Sequence, residues 1–521
     1  MRWQILPLVV LPLSLLWSPD ASAQSAPAAD AATPPTQPAT PPALPPESAP
    51  APPAASTKLL GVELLSLRVM HEKNMLSDAE YESALRDLND TSGAQASESM
   101  SIVAGKWATT LYGFVEADSI FDTTQSLGDL AGNSQIARSS TYAGYHSRMQ
   151  FGARNSRVGL RMKAPEVSGI RVSGVVETDF LGNQSLGYAT GQANENQYFT
   201  SPLLRIRHMY VKAETGVVDL LLGQTWDLFG WQSAYHPNTV EIQGVPGQIY
   251  SRTPQIRLSK TLKTAPVTVE IAAAAMRPPQ RDSAWPEGQG GIRIAINGWT
   301  GVQTAGAAAT SIQPASIAFT GDVRHIDVPD LVAAPTGDVG KTATAGAIDA
   351  FLPVLPASKG KMGNALSLNG EFASGYGTAD LYTGLTGGVT FPALPNPTGA
   401  NPAPAWPQDI DNGIATYTAG GQLNFIQWTS YLIGAQYYLP GLDGRLWVSG
   451  NFSHMESSNT PKLYASSTKV RGAEDWWDVN LFGDVTPALR LGLEYAQFID
   501  HYVDGNSPTN QRVQLSGFFI F

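Results

Sequence analysis

A chain of 521 residues is long enough for two or three ordinary domains or for one large barrel. Only 15% of it is charged, well below the roughly 25% of a typical soluble domain, while Gly contributes 50 residues and Pro 38. The absence of Cys excludes a disulfide framework, thiolate zinc sites, iron–sulfur ligation and a cysteine nucleophile, and a net charge of −11 argues against a nucleic-acid partner.

In chain order, Arg2 followed by the apolar run Ile5–Trp17 and by Ala21-Ser22-Ala23 has the layout of a secretory leader, which places the mature start near Gln24. Residues 1–23 are therefore expected to be removed on export. Residues 24–57 follow as a Pro/Ala-rich tether: Ala26–Ser56 holds 11 Pro and 11 Ala with only two charges, Asp30 and Glu47. Such a segment cannot bury a core and is expected to run extended, in polyproline fashion. Residues 58–92 change character. Leu60, Leu64, Leu67 and His71 share one helical face, and Ser77-Asp78-Ala79-Glu80 fits a capping box that opens a second helix with Tyr81, Ala84, Leu85 and Leu88 as its stripe. With no core of its own, this module is expected to associate with copies of itself; docking on the rest of the same chain is the alternative.

From about residue 105 to 521 the periodicity is two. Phe151–Lys163 reads as one strand, in which Val158, Leu160 and Met162 oppose Arg157, Arg161 and Lys163. Val172, Val176 and Phe180 oppose Arg171, Ser173, Glu177 and Asp179, and Ile256 and Leu258 oppose Arg257. About sixteen such segments of roughly ten residues are predicted, joined by tight turns (Ala164-Pro165-Glu166, Pro440–Gly444, Thr486-Pro487) that alternate with long connections such as Thr123–Gln150, Asp227–Pro254 and Ala379–Asn412. Thr300–Ala357 alternates poorly and leaves the middle of the series open. Tilted strands of about ten residues cross the hydrocarbon layer, and closure satisfies their backbone there. Aromatics near segment ends, including Tyr112, Trp226, Trp299, Tyr437 and Trp476, suit interfacial girdles. The expected fold is all-β, a transmembrane antiparallel barrel of about sixteen strands behind a short N-terminal helical segment.

The last strand, Val513–Phe521, ends on an aromatic and is similar to the assembly signal of Gram-negative outer-membrane proteins, with Phe521 the residue that the barrel-assembly machinery would read. Five blocks carry a further resemblance: Asn155-Ser156-Arg157-Val158-Gly159-Leu160, Glu177-Thr178-Asp179-Phe180, Leu204-Arg205-Ile206-Arg207-His208-Met209-Tyr210-Val211, Leu222-Gly223-Gln224-Thr225-Trp226 and Arg252-Thr253-Pro254-Gln255-Ile256-Arg257. In order and spacing they resemble the trimeric porin family typified by the dicarboxylate channel DcaP, over about a fifth of the chain. The resemblance implies a homotrimer of sixteen-stranded porins in the outer membrane, surrounded by its lipid, with a periplasmic N-terminal oligomerisation segment. Peptidoglycan is a further candidate partner if that segment is a wall tether.

A barrel of that size admits an aqueous channel unless something fills it. The natural constriction is the Asp227–Thr253 connection, with Asp227, Trp231, Tyr235, His236 and Glu241; an external or trimer-contact loop is the competing reading. Residues 150–260 hold 11 Lys plus Arg against 8 Asp plus Glu. Arg157, Arg161, Lys163, Arg171, Arg252 and Arg257 are the expected lumen cations, a bias that would concentrate anions and hold carboxylates bidentately. Glu116, Asp118, Glu177 and Asp179 are the inward acids expected to oppose them across the lumen, unless the charges simply pair along the wall. The direction of Arg205 and Arg207 is ambiguous. No nucleophile motif, phosphate loop or metal-ligand spacing of the seven histidines occurs, so neither catalysis nor a cofactor or metal is expected. A small-solute porin is the leading reading, and a plugged transporter or structural tether the alternative.

Overall fold

The structure, a computed structural model, describes residues 101–104, 107–132, 134–182, 202–241, 243–280, 283–330, 336–358, 360–385, 410–411, 413–418, 422–465 and 467–521. The leader (1–23), tether (24–57) and helical segment (58–92) expected from sequence lie outside the described residues.

Sixteen antiparallel staves form the barrel: β1 (Trp107–Asp122), β2 (in two pieces, Arg148–Gly152 and Arg157–Lys163), β3 (Arg171–Gly182), β4 (Leu203–Glu214), β5 (Asp219–Trp226), β6 (Arg252–Lys263), β7 (Val267–Met276), β8 (Glu287–Gln303), β9 (Ser311–Pro329), β10 (Asp338–Leu355), β11 (Leu366–Tyr376), β12 (Gln427–Tyr438), β13 (Leu446–Glu456), β14 (Arg471–Thr486), β15 (Leu489–Tyr502) and β16 (Thr509–Ile520). Each pairs with its sequence neighbours. The ring closes where β16 meets β1, from Phe114 opposite Ile520 to Asp122 opposite Arg512, and Phe521 exchanges two backbone hydrogen bonds with Gly113 (2.9 and 3.0 Å). Ser101–Ala104 folds back on Trp107–Thr110 along the same edge, beyond the end of β16.

The stretch that sequence left open, 300–357, holds the end of β8 and the whole of β9 and β10, three of the longest staves. Its Ala, Gly and Thr side chains are small enough to blur the hydropathy pattern, yet the pairing is regular: Phe319, Val323, Ile348 and Leu352 point outward, and Ala318, Asp322, Ala347 and Asp349 inward. Sequence also read Phe151–Lys163 as one strand. It is interrupted at Ala153–Ser156, where four residues face three of β1, and the bulge turns polar side chains inward. Arg154 pairs with Asp129 (2.5 and 2.7 Å), Asn155 donates to Asp118 (3.1 Å), and Ser156 Oγ accepts from the Glu116 amide (3.0 Å).

The outer surface is apolar: Val115, Phe121, Leu160, Ile206, Leu258, Phe372, Val479 and Leu515 are all exposed, as staves facing lipid require. The core lies inside the cylinder. Phe229 and Ile249 of the β5–β6 connection and Leu381, Tyr382 and Leu385 of the β11–β12 connection pack on Ile326, Ala347, Ala373 and Trp428 of the wall. Turns at one end are short; the long connections, here counted as loops in chain order, share the other end.

Candidate functional site in the barrel interior

The third loop, Asp227–Ser251, leaves β5 and runs inside the barrel to the far wall. Its root is tied to β8 and β9: the Leu228 and Phe229 amides donate to Gln289 Oε1 (2.9 and 2.8 Å), the Gly230 amide to Thr320 (2.9 Å) and Tyr235 Oη to Ser316 (2.9 Å). Gly230 is needed there, because φ is 74° and a Cβ would press on Ile249 at 3.1 Å. Further on, the Asn238 carbonyl accepts from Ser449 (2.7 Å) and Asn451 (2.9 Å) of β13, the Val240 amide donates to Asn480 of β14 (3.0 Å), and the Glu241 amide to Glu494 of β15 (2.9 Å). Glu241 then receives Arg512 of β16 (3.1 Å), which also clamps Asp122 of β1 (2.9 and 3.0 Å). The loop therefore covers the inner face of β8, β9 and β13–β16. Trp231 and Tyr235 pack in an apolar cluster with Ala272, Ala274, Ala318 and Phe351.

The inner faces of β2–β6 stay wetter. Arg157 sits 3.5 Å from Glu177, Arg161 stacks over the Tyr112 ring at 4.0 Å, and Lys163 is exposed at the short-turn end. Arg171 meets Glu214 (3.4 Å) in largely exposed surroundings. Arg257 donates to Gln255 (2.7 Å) and to the Trp226 carbonyl (2.5 Å). Arg252 lies over the rings of Trp226 (4.7 Å) and Tyr250 (5.2 Å).

The four acids do not oppose these cations across the interior. Glu177 and Asp179 are buried on the same wall, each beside arginines of adjoining staves: Arg207 reaches Glu177 (2.8 Å) and Asp179 (3.1 Å), and Arg205 grips Asp179 through two bonds (2.6 and 3.0 Å). Glu116 and Asp118 are buried side by side on β1, with Asp118 accepting from Ser516 (2.6 Å). For Glu177 and Asp179 the reason is proximity: residues opposite one another on neighbouring strands lie within side-chain reach, and a carboxylate losing water takes the nearest guanidinium.

Sequence left Arg205 and Arg207 without a direction, and the structure supplies one. Glu177 pairs with His208 but Thr178 with Ile206, so Arg207 is an extra residue in a bulge, and Arg205, Arg207 and His208 all turn inward. The phase slip between outward Ile206 and outward Met209, three apart, is the readable trace of that bulge. Gln243 and Tyr250 of the third loop meet the group: Gln243 Oε1 accepts from Arg205 (3.2 Å) and Arg207 (3.4 Å), and Tyr250 Oη accepts from Arg207 (3.4 Å). Burial alone would raise the Tyr250 phenol, but Arg207, Arg252 and Arg157 outweigh it and bring it down to about 7. His236, buried and close to Arg207, is held neutral, its value lowered to about 4. Burial, with Glu494 adding to it, lifts Glu241 to about 7 in spite of Arg512; burial and Glu287 lift Asp227 to about 7.

Three more guanidinium clamps carry no local signature in the sequence. Arg324 joins Glu287 (2.9 Å), Asp322 (3.1 Å) and Asp380 (2.5 Å). Arg471 joins Glu474, Asp500 (both 2.8 Å) and the Gly384 carbonyl. Arg490 holds Asp484 (2.7 Å) and the Gly306 carbonyl (2.6 Å). Among the described residues no group of His, Asp and Glu has metal-binding geometry.

A closed sixteen-stave cylinder, apolar outside and charged within, is a transmembrane β-barrel of porin dimensions. Among solved structures it is similar to the outer-membrane channel DcaP of Acinetobacter baumannii, with 18% identity, a TM-score of 0.56, and 80% of this chain and 99% of that one covered. Looser likenesses are OmpF of Salmonella typhi in complex with daunomycin (10% identity, TM-score 0.45, 81% and 100% covered) and an anion-selective porin of Comamonas acidovorans (12%, 0.43, 80% and 100%). No protein-family model and no curated protein matches the chain.

Proposed function

We propose that the protein is an outer-membrane porin through which small hydrophilic solutes diffuse passively, with the third loop as its constriction and the inner faces of β2–β6 as its conducting wall. The observation that carries the reading is the asymmetry of the interior: on the inner face of β2–β6 the cations Arg157, Arg161, Lys163, Arg171, Arg252 and Arg257 keep contact with water, while the acids Glu177 and Asp179 are buried. Those cations would raise the local concentration of anions, organic acids among them. Glu177 and Asp179 temper that field by partial neutralisation. The short turns and both barrel termini would face the periplasm and the long loops the outside. We read the protein as non-enzymatic and as a homotrimer, with residues 1–23 a leader, 24–57 a tether and 58–92 the oligomerising helices; a truncation lacking 24–92 that keeps its full oligomeric mass refutes that last assignment.

The dry packing inside β9–β16 favours one second reading, a plugged barrel acting as transporter or wall tether. Planar-bilayer recording of the purified protein separates the two. Three-step ohmic openings are expected of a trimeric porin, and silence of a plug.

A further inference from the structure

The third loop is not alone inside the barrel. The Gly377–Leu385 arm of the sixth loop enters beside it, and the two form a short antiparallel ladder. The Gly247 amide donates to the Thr383 carbonyl (3.0 Å), the Thr383 amide to the Gln248 carbonyl (2.9 Å) and the Tyr250 amide to the Leu381 carbonyl (2.9 Å), with Ile249 and Tyr382 directly opposite. Ala379, Leu381, Tyr382 and Leu385 are buried against Phe229, Ile249 and Trp428. Each end of the arm is held by an arginine of the wall. Arg324 binds the Gly377 carbonyl (3.0 Å) and Asp380, and Arg471 binds the Gly384 carbonyl. Gly384 has φ 97°, and a Cβ there would meet Glu474 Oε2 at 2.8 Å, so the arm reaches Arg471 only because this residue is glycine.

The seat of the arm is over-supplied with acid. Asp380 of the sixth loop, Glu287 of β8 and Asp322 of β9 converge on the single guanidinium of Arg324, and Asp227 at the root of the third loop lies close enough to Glu287, Asp322 and Asp380 to interact with their charge. Asp411 of the sixth loop adds a further negative charge toward Asp380, and Arg257 of β6 faces Asp227. We propose that this arm is a second, detachable wall of the passage, latched onto the third loop through the carboxylate cluster at Arg324, and that acid seats it while alkali loosens it. The proposal rests on the porin reading.

The sign follows from linkage. Docking raises Asp380 from 3.8 to about 6, through burial first and Glu287 second, against the pull of Arg324; Asp227 goes from 3.8 to about 7 by burial and Glu287. A released arm returns Asp380 to water and opens the cluster around Asp227. The docked form therefore binds protons more tightly. Its advantage is complete below about pH 4 and is lost as pH rises through about 6 to 7.

Single-channel conductance of the full-length protein at pH 5 and pH 8 tests this. The wild type should conduct about twofold more at pH 8 than at pH 5 as the docked population falls. Asp380→Asn should stay near the acid level at pH 5 and rise clearly less than the wild type at pH 8, the remainder coming from Asp227. A second variant guards against misfolding of the first. The natural chain has no Cys, so Ile249→Cys with Tyr382→Cys places one possible disulfide across a facing pair of the ladder. Oxidised, it should hold the acid-level conductance at pH 8, and a reductant should restore the rise. Equal wild-type conductance at the two pH values, or a full rise in Asp380→Asn or in the oxidised pair, overturns the latch while leaving a channel in place. Absence of any channel at either pH sinks the porin reading and the latch together.

Discussion

The inner faces of β2–β6 and of β9–β16 are built from the same alternation, yet they have opposite surroundings. On the first, Arg161 and Lys163 are exposed and Arg157, Arg205, Tyr210, Lys212 and Arg257 keep partial access to water. On the second, Trp428, Trp447, Trp476, Asp478, Glu494 and Arg512 are all buried under the third loop, the sixth loop or one another. The strands do not make this difference; the loops do. A charge left wet can remain unpaired at little cost, whereas a covered one requires a partner. That is why the covered wall concentrates its few arginines into clamps, Arg324, Arg471 and Arg512 each joining two or three acids and Arg490 one acid and two turn carbonyls, and why the wet wall can present its cations to solute.

Four experiments press on that contrast. The largest effect is expected at the covered wall, where Arg512→Ala strands Asp122 and Glu241 without their cation and should cost about 3–5 kcal/mol of stability, read as earlier loss of heat-modifiable gel mobility. The outer face comes next: Val479→Arg puts a charge in mid-stave against lipid, worth about 2–4 kcal/mol in a denaturant titration of the refolded barrel. At the wet wall, Arg157→Glu with Arg257→Glu should shift the anion-to-cation permeability ratio by about tenfold in a salt-gradient reversal measurement, since two cations become anions beside the path. An unchanged ratio would place the conducting path elsewhere. The smallest effect belongs to Tyr250. As pH rises through about 7 its phenol ionises among Arg157, Arg207 and Arg252, adding a negative charge, so anion preference should fall by about twofold between pH 6 and 8. Tyr250→Phe should remove that drift.

Much of the barrel was legible one strand at a time. Val158 against Arg157, or Ile256 against Arg257, states which side meets lipid without reference to any other strand, because side-chain direction alternates locally. The stretch 300–357 resisted because Ala, Gly and Thr carry little hydropathy contrast, although the backbone pairs as regularly there as elsewhere. Arg207 resisted because a single extra residue reverses the phase, and only the partner strand reveals the insertion. The acids were placed on the correct face with two sets of neighbours left open, and the structure takes pairing along the wall: Glu177 and Asp179 answer to Arg207 on the next stave, which no reading of one strand contains.

What the chain dictates by itself is therefore the wall: alternating strands, tight turns at one end, long connections at the other, and an apolar outer skin, each set by contacts within a few residues. What the three-dimensional fold decides is the bore. Arg471 reaches Asp500 across 29 residues, Arg324 reaches Asp380 across 56 and Arg512 reaches Asp122 across 390, and the sixth-loop arm meets the third loop across more than a hundred residues of chain. The Arg512–Asp122 pairing depends on closure of the cylinder, and the enclosed, poorly hydrated space that closure makes is where the remaining charges must find partners.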